Sequence, residues 1–132
     1  MSHTVKIQAK FKIEHMSAFK RALEHFGWKT VENSKARTYP GDQAGHTTYP
    51  MVAVNPNSGY DIGVQFNEKT GELEAMADFY DGSIAKTLGT NLDALKQEYS
   101  CCVAEDHFAY MGWSASREVN QETGEVIIVG EQ

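Results

Sequence analysis

Residues 4–13 alternate in character, with Val5, Ile7, Ala9, Phe11 and Ile13 on one side and Lys6, Gln8, Lys10 and Lys12 on the other. A period of two predicts a half-buried strand. From 16 to 26 the apolar residues Met16, Phe19, Leu23 and Phe26 recur at three- and four-residue steps and Gly27 follows, the pattern of a short amphipathic helix ended by glycine. Trp28 to Glu32 reads as a short strand. Residues 34–59 hold all three prolines (Pro40, Pro50, Pro56) together with Gly41, Gly45 and Gly59, broken only by the apolar stretch Met51-Val52-Ala53-Val54. This is a long irregular excursion with one strand inside, read as a surface insertion, with a lid over a site as the functional alternative.

The next segment is the most strongly patterned. Tyr60, Ile62, Val64 and Phe66 are expected to face inward on one strand, opposite Leu73, Ala75, Ala77 and Phe79 on its partner. After Asp81-Gly82 the chain turns helical, and Thr90-x-x-Asp93 resembles a capping pair opening a helix whose buried stripe is Leu92, Leu95, Tyr99, Cys102 and Val103, running to about Met111 and ending at Gly112. The last strand, Val126-Ile127-Ile128-Val129, is apolar on both faces. Hairpin register sets Ile127 and Val129 across from Glu118 and Ser116, which leaves one face poorly covered and makes Ile127 and Val129 candidates for a contact with another subunit.

Two repeats organise this pattern. The hexapeptide Asn-x-x-Thr-Gly-Glu occurs at 67–72 and again at 120–125, each time between two alternating runs. In a four-residue connection the last loop residue takes positive φ, which suits Gly71 and Gly124, while the Asn side chain caps the turn. A weaker echo pairs His25-Phe26-Gly27-Trp28 with Tyr110-Met111-Gly112-Trp113. Both halves thus run strand, helix, Gly-Trp, strand. The expectation is one domain over 1–132 of the α+β class: two layers, a mainly antiparallel sheet with two helices packed on one face, ferredoxin-like or related.

Composition narrows the function classes. At 132 residues, with 41% hydrophobic and 23% charged positions, the chain suits a single folded core. No signal-peptide core or bilayer-length apolar run is present. Cys101 and Cys102 are adjacent and cannot normally close an unstrained disulfide. A cytoplasmic location without membrane attachment is the expectation. The net charge of −6 is uneven: residues 1–40 carry eight Lys or Arg against three acids, and residues 41–132 carry four against fifteen. The acidic bulk argues against a nucleic-acid partner, leaving only Lys6, Lys10, Lys12 and the tyrosines for RNA contact.

No nucleotide loop, zinc constellation or catalytic triad is written in the sequence, so no catalytic residue, metal or cofactor is assigned. One acidic locus stands out. Pairing Asn67 with Glu72 places Gln65 opposite Glu74 and Asp61 opposite Asp78 on the outer face of the hairpin. Like charges in direct cross-strand contact are unfavourable, so a bound cation, a raised pKa on one carboxylate or a neighbouring Lys or Arg must offset them. A salt-bridged surface with the Lys6, Lys10 and Lys12 stripe is the simple solution; a binding site would recruit Asp81, Tyr60 and Tyr80. Cys101, Cys102, Asp106 and His107 suggest a metal cluster until helical spacing is applied, since only Asp106 shares a face with Cys102. His25, in the last turn of its helix, is explained by the dipole, and His3, His15 and His46 show no evident partner.

Gly59-Tyr60-Asp61-Ile62-Gly63, Glu74-Ala75-Met76-Ala77-Asp78-Phe79-Tyr80 and the opening Met1-Ser2-His3 resemble the hypothetical chloroplast reading frame thirty-five family, a domain of unknown function in cyanobacteria, algal plastids, other bacteria and some phages. The resemblance extends to Arg37-x-Tyr39-x-Gly41, Leu95-x-x-x-Tyr99 and the closing hairpin. Phe79-Tyr80 departs from it, standing where the family commonly has two tryptophans, and 42–58 is divergent. Members are often encoded near an AAA-type ATPase and a small ferredoxin-like protein, so the resemblance implies an accessory role. It also puts Asp61 and Asp78 on motif positions. The leading expectation is a non-enzymatic module that binds a protein partner or itself through the acidic sheet face or the last strand; the alternative is a metal-assisted enzyme on Asp61, Asp78 and Asp81.

Overall fold

In the computed structural model, the described residues are 5–6, 10–38 and 47–132. Expectations for His3, Ile7, Ala9, Tyr39, Gly41 and His46, and for the side chains of Val5 and Lys6, fall outside them. The α+β class is observed. Short strands β1 (Val5–Lys6) and β2 (Phe11–Lys12) lead through a 3-10 turn into helix α1 (Met16–His25). Strands β3 (Lys29–Lys35), β4 (Thr48–Val54), β5 (Ile62–Asn67) and β6 (Glu72–Ala77) follow. Helix α2 (Ser83–Leu88), a 3-10 turn at Thr90–Leu92, helix α3 (Asp93–Tyr110) and strands β7 (Ser114–Val119) and β8 (Val126–Glu131) complete the chain.

β3 to β6 form an antiparallel meander, and β1 and β2 both pair with β6 at its far edge. The register changes between Lys6↔Met76 and Phe11↔Leu73, so the alternation through 4–13 is not carried by one continuous ladder. β1 and β3 lie at opposite edges of the sheet, and α1, which joins them in sequence, crosses its face. The closing hairpin does not join this sheet. β7 and β8 pair with each other as a separate two-stranded ribbon, so of the second strand–helix–strand unit only β6 belongs to the main sheet and the strand after α3 lies outside it.

Both hexapeptides are hairpin loops. Asn67 and Glu72 pair, Gly71 has φ +73°, and the Asn67 carboxamide oxygen accepts from the Lys69 and Thr70 N–H groups. Asn120 and Gly124 repeat the geometry. The Gly-Trp echo is also real. Gly27 (φ +83°) donates to the Glu24 carbonyl and Trp28 reaches back to Leu23; Gly112 (φ +76°) donates to Ala109 and Trp113 to Phe108. Each helix therefore ends with its last carbonyls satisfied by a left-handed glycine and the residue after it.

The core lies between the sheet and the helices. Ala18, Phe19, Ala22 and Leu23 of α1 are buried, as are Leu95, Tyr99 and Cys102 of α3. Phe11 stands between them, 4.8 Å from the Phe19 ring and 4.9 Å from Tyr99, and the Lys12 N–H donates to the Tyr99 hydroxyl at 2.9 Å. Two expectations change. Phe66 is 41% exposed rather than inward. Thr90 caps no helix with its side chain; Asn91 and Leu92 take positive φ, and α3 starts after Leu92. The opposite sheet face is not simply polar, since Ala36, Tyr49 and Val52 are buried there with Met76 and Val54 against them.

Candidate functional site

The hairpin register is as the sequence predicts, with Gln65 opposite Glu74, but the ladder closes at Ile62↔Ala77. Asp61 and Asp78 lie one step beyond it. The Asp61 N–H donates to the Arg37 carbonyl at 2.8 Å instead of continuing along β6. Neither carboxylate is on an exposed outer face: each residue is 2% accessible. The expected side-by-side acidic surface is corrected to two buried aspartates held by separate partners.

Asp61 is saturated. Its Oδ2 accepts from the Arg37 N–H and Nε, and its Oδ1 accepts from an Arg37 terminal nitrogen at 2.8 Å and from the Asn55 N–H. Arg37 also donates to the Asn55 carbonyl, and hydrogen bonding to Asp61 raises its pKa further. Asn55, itself buried, donates to Ser58, to the Tyr60 carbonyl and to Ser83. The counter-ion is Arg37, not the lysine stripe. Residues 55–61 are thereby fastened to Arg37 on one side and to the start of α2 on the other. A buried carboxylate with four donors is a structural anchor.

Asp78 accepts from the Tyr80 N–H at 2.9 Å through Oδ1, while its buried Oδ2 has no partner among the described residues. Asp81 is exposed and accepts from the Ser83 N–H and hydroxyl. Burial pushes its pKa up, but the Ser83 hydrogen bonds outweigh that and hold it below the usual range. Tyr60 is half-buried against the core and Tyr80 is exposed. Among the described residues, no three His, Cys, Asp or Glu converge to hold a metal ion.

The candidate cluster on α3 is dispersed. The Cys102 thiol donates to Glu98 at 3.6 Å, and the Asp106 carboxylate is taken by Arg21 at 2.7 Å. Burial raises the pKa of both thiols, which disfavours the nucleophilic thiolate. His25 approaches Glu98 at 3.7 Å.

Arg117 ties the closing ribbon to α3. Arg117, paired with Ile128 on the side facing α3, makes a two-pronged contact with Glu98 at 2.8 Å and further bonds to Glu105. Glu98 and Glu105 are seven residues apart, two turns along one flank of α3. Arg117 holds Glu98 below the usual carboxylate range despite the opposing effect of burial. Phe108 stacks on Trp113 and lies against Gly130. On the opposite side of the ribbon, Ile127 and Val129 pair with Glu118 and Ser116 as expected; Ile127 is 50% exposed.

Sequence reasoning passed over Asn55, Glu98 and Arg117, and named Arg37 only as part of a family motif, without its pairing to Asp61. Arg117 was within reach, because the register that sets Ile127 opposite Glu118 also sets this residue opposite the inward Ile128. Comparison of the chain with models of known families, with curated proteins and with solved structures found no match. The functional reading rests on geometry.

Proposed function

We propose that this protein is a non-enzymatic protein-binding module whose contact element is the β7–β8 ribbon and whose occupant is a second copy of the chain. The observation that carries this reading is the half-exposed Ile127 on a two-stranded sheet that pairs with no further strand among the described residues. Such a ribbon is marginal in water and offers open edges for strand addition. A two-fold antiparallel pairing of β8 centred on Ile128 sets Ile127 opposite Val129 of the copy, apolar against apolar, as an isologous contact requires. The same register brings Glu125 opposite Glu131, so added salt should tighten the association by screening. The family resemblance adds a role for the pair as an accessory to a larger machine, with an AAA-type ATPase as the class implied.

Sedimentation of the intact chain across a concentration series tests this. A reversible dimer that tightens with salt and is lost in Ile127→Lys/Val129→Lys supports it. A monomer at high micromolar concentration, or a dimer indifferent to those substitutions, overturns it.

A metal-assisted enzyme draws support only from the open Oδ2 of Asp78, since Asp61 and Asp81 are engaged elsewhere. Titration with magnesium, manganese and calcium should leave the melting midpoint unchanged; a saturable rise abolished by Asp78→Asn would revive that reading.

A further inference from the structure

A cleft of about 710 Å³ lies between the segment bearing Lys10 and Lys12 and the flank of α3 away from the ribbon clamp. Its floor is apolar, formed by the Tyr99 ring, Val103 and Ala104. Lys10, Lys12, His15 and His107 stand around it, and Tyr110, 91% exposed, closes one end. The floor is fixed in place, because the Tyr99 hydroxyl accepts the Lys12 N–H and its ring packs edge-on against Phe11.

The electrostatics here oppose those of the molecule. The whole chain carries −6, yet two lysines line this cleft, and among the described lining residues the carboxylate is Asp106, bound by Arg21 at 2.7 Å; Glu72, opposite Lys12 in the sheet, and Glu14, beside His15, stand outside the lining. The volume is that of a small-molecule site. An apolar floor under a cationic rim complements a ligand with an apolar body and one anionic group. A polyanion would meet the acidic remainder of the surface, and a purely apolar ligand would make no use of the lysines.

We propose that this cleft binds a small soluble amphipathic anion, its apolar body on Tyr99 and Val103 and its carboxylate or phosphate ester between Lys10 and Lys12. The occupant is a free molecule, independent of the ribbon contact.

Decanoate below its micellar concentration is the probe, with acetate and decanol as controls, titrated calorimetrically into the intact protein. Saturable binding of decanoate, with neither control binding comparably, is expected. Charge reversal in Lys10→Glu/Lys12→Glu should weaken decanoate roughly tenfold or more, and raising salt should weaken the wild type in the same direction. Lys29→Glu, an exposed charge reversal on β3 at the opposite edge of the sheet, should bind as the wild type does. No decanoate binding, equal binding of decanol, or decanoate binding insensitive to both the lysine substitutions and salt overturns the proposal.

Discussion

Glu98 joins three elements that the sequence did not bring together, α1, α3 and β7. It sits on α3 with its side chain 12% exposed, receives both prongs of Arg117 and the Cys102 thiol, and lies near His25. Because Arg117 depresses its pKa in the fold, its contribution to stability is present above the unfolded value of about 4.3 and is lost as pH falls through the lower, folded value. Thermal melts at decreasing pH should therefore show an extra loss below about pH 4 that Glu98→Gln lacks. At neutral pH that substitution should cost about 1–2 kcal/mol, a weakened two-pronged contact near the surface. Gly63 makes a different demand. A Cβ there would stand 2.5 Å from the Tyr49 ring, so Gly63→Ala should cost about 1–3 kcal/mol through overpacking, read as a lowered denaturant midpoint.

At the scale of elements, the ribbon is the least embedded part of the described chain. Its residues from Ser114 through Glu125 are all exposed, and its attachment to α3 rests on Arg117, on Trp113 against Phe108 and on Gly130 beneath that ring. Amide exchange should show β7 and β8 opening well before β5, since local units with few buried contacts open at lower free energy. Arg117→Ala should speed that exchange further while β5 and β6 keep their protection; equal acceleration throughout would mean that the ribbon unfolds with the core. The loop 55–61 behaves oppositely. Though it runs through proline, asparagine and glycine, Asn55 and Asp61 are buried and bonded on every side.

For the whole molecule, the two ends of the chain differ in how they meet the core. β1 and β2 complete the main sheet at β6, whereas β7 and β8 stay outside it and present Ile127 to solvent. The proposed dimer contact and the proposed anion cleft occupy different surfaces, β8 and the flank of α3 beside Lys10 and Lys12, so a variant that abolishes one should leave the other intact. Among the described residues, no helix is long and apolar enough to cross a membrane.

Sequence alone determined what depends on near neighbours: the alternating segments of β5 and β6, the helical segments of α1 and α3, both glycine loops, the glycine ends of those helices, and the registers Asn67↔Glu72 and Glu118↔Ile127. These follow from backbone sterics and short-range hydrogen bonds. Tertiary structure decided where the ladders stop and what each charge meets. Asp61 chose Arg37, 24 positions away, because a buried carboxylate takes whichever donors the fold brings near. Arg117 chose α3 over solvent. The separation of the last hairpin from the first sheet was likewise beyond local pattern, since an alternating strand pairs as well in a ribbon of two as at the edge of five.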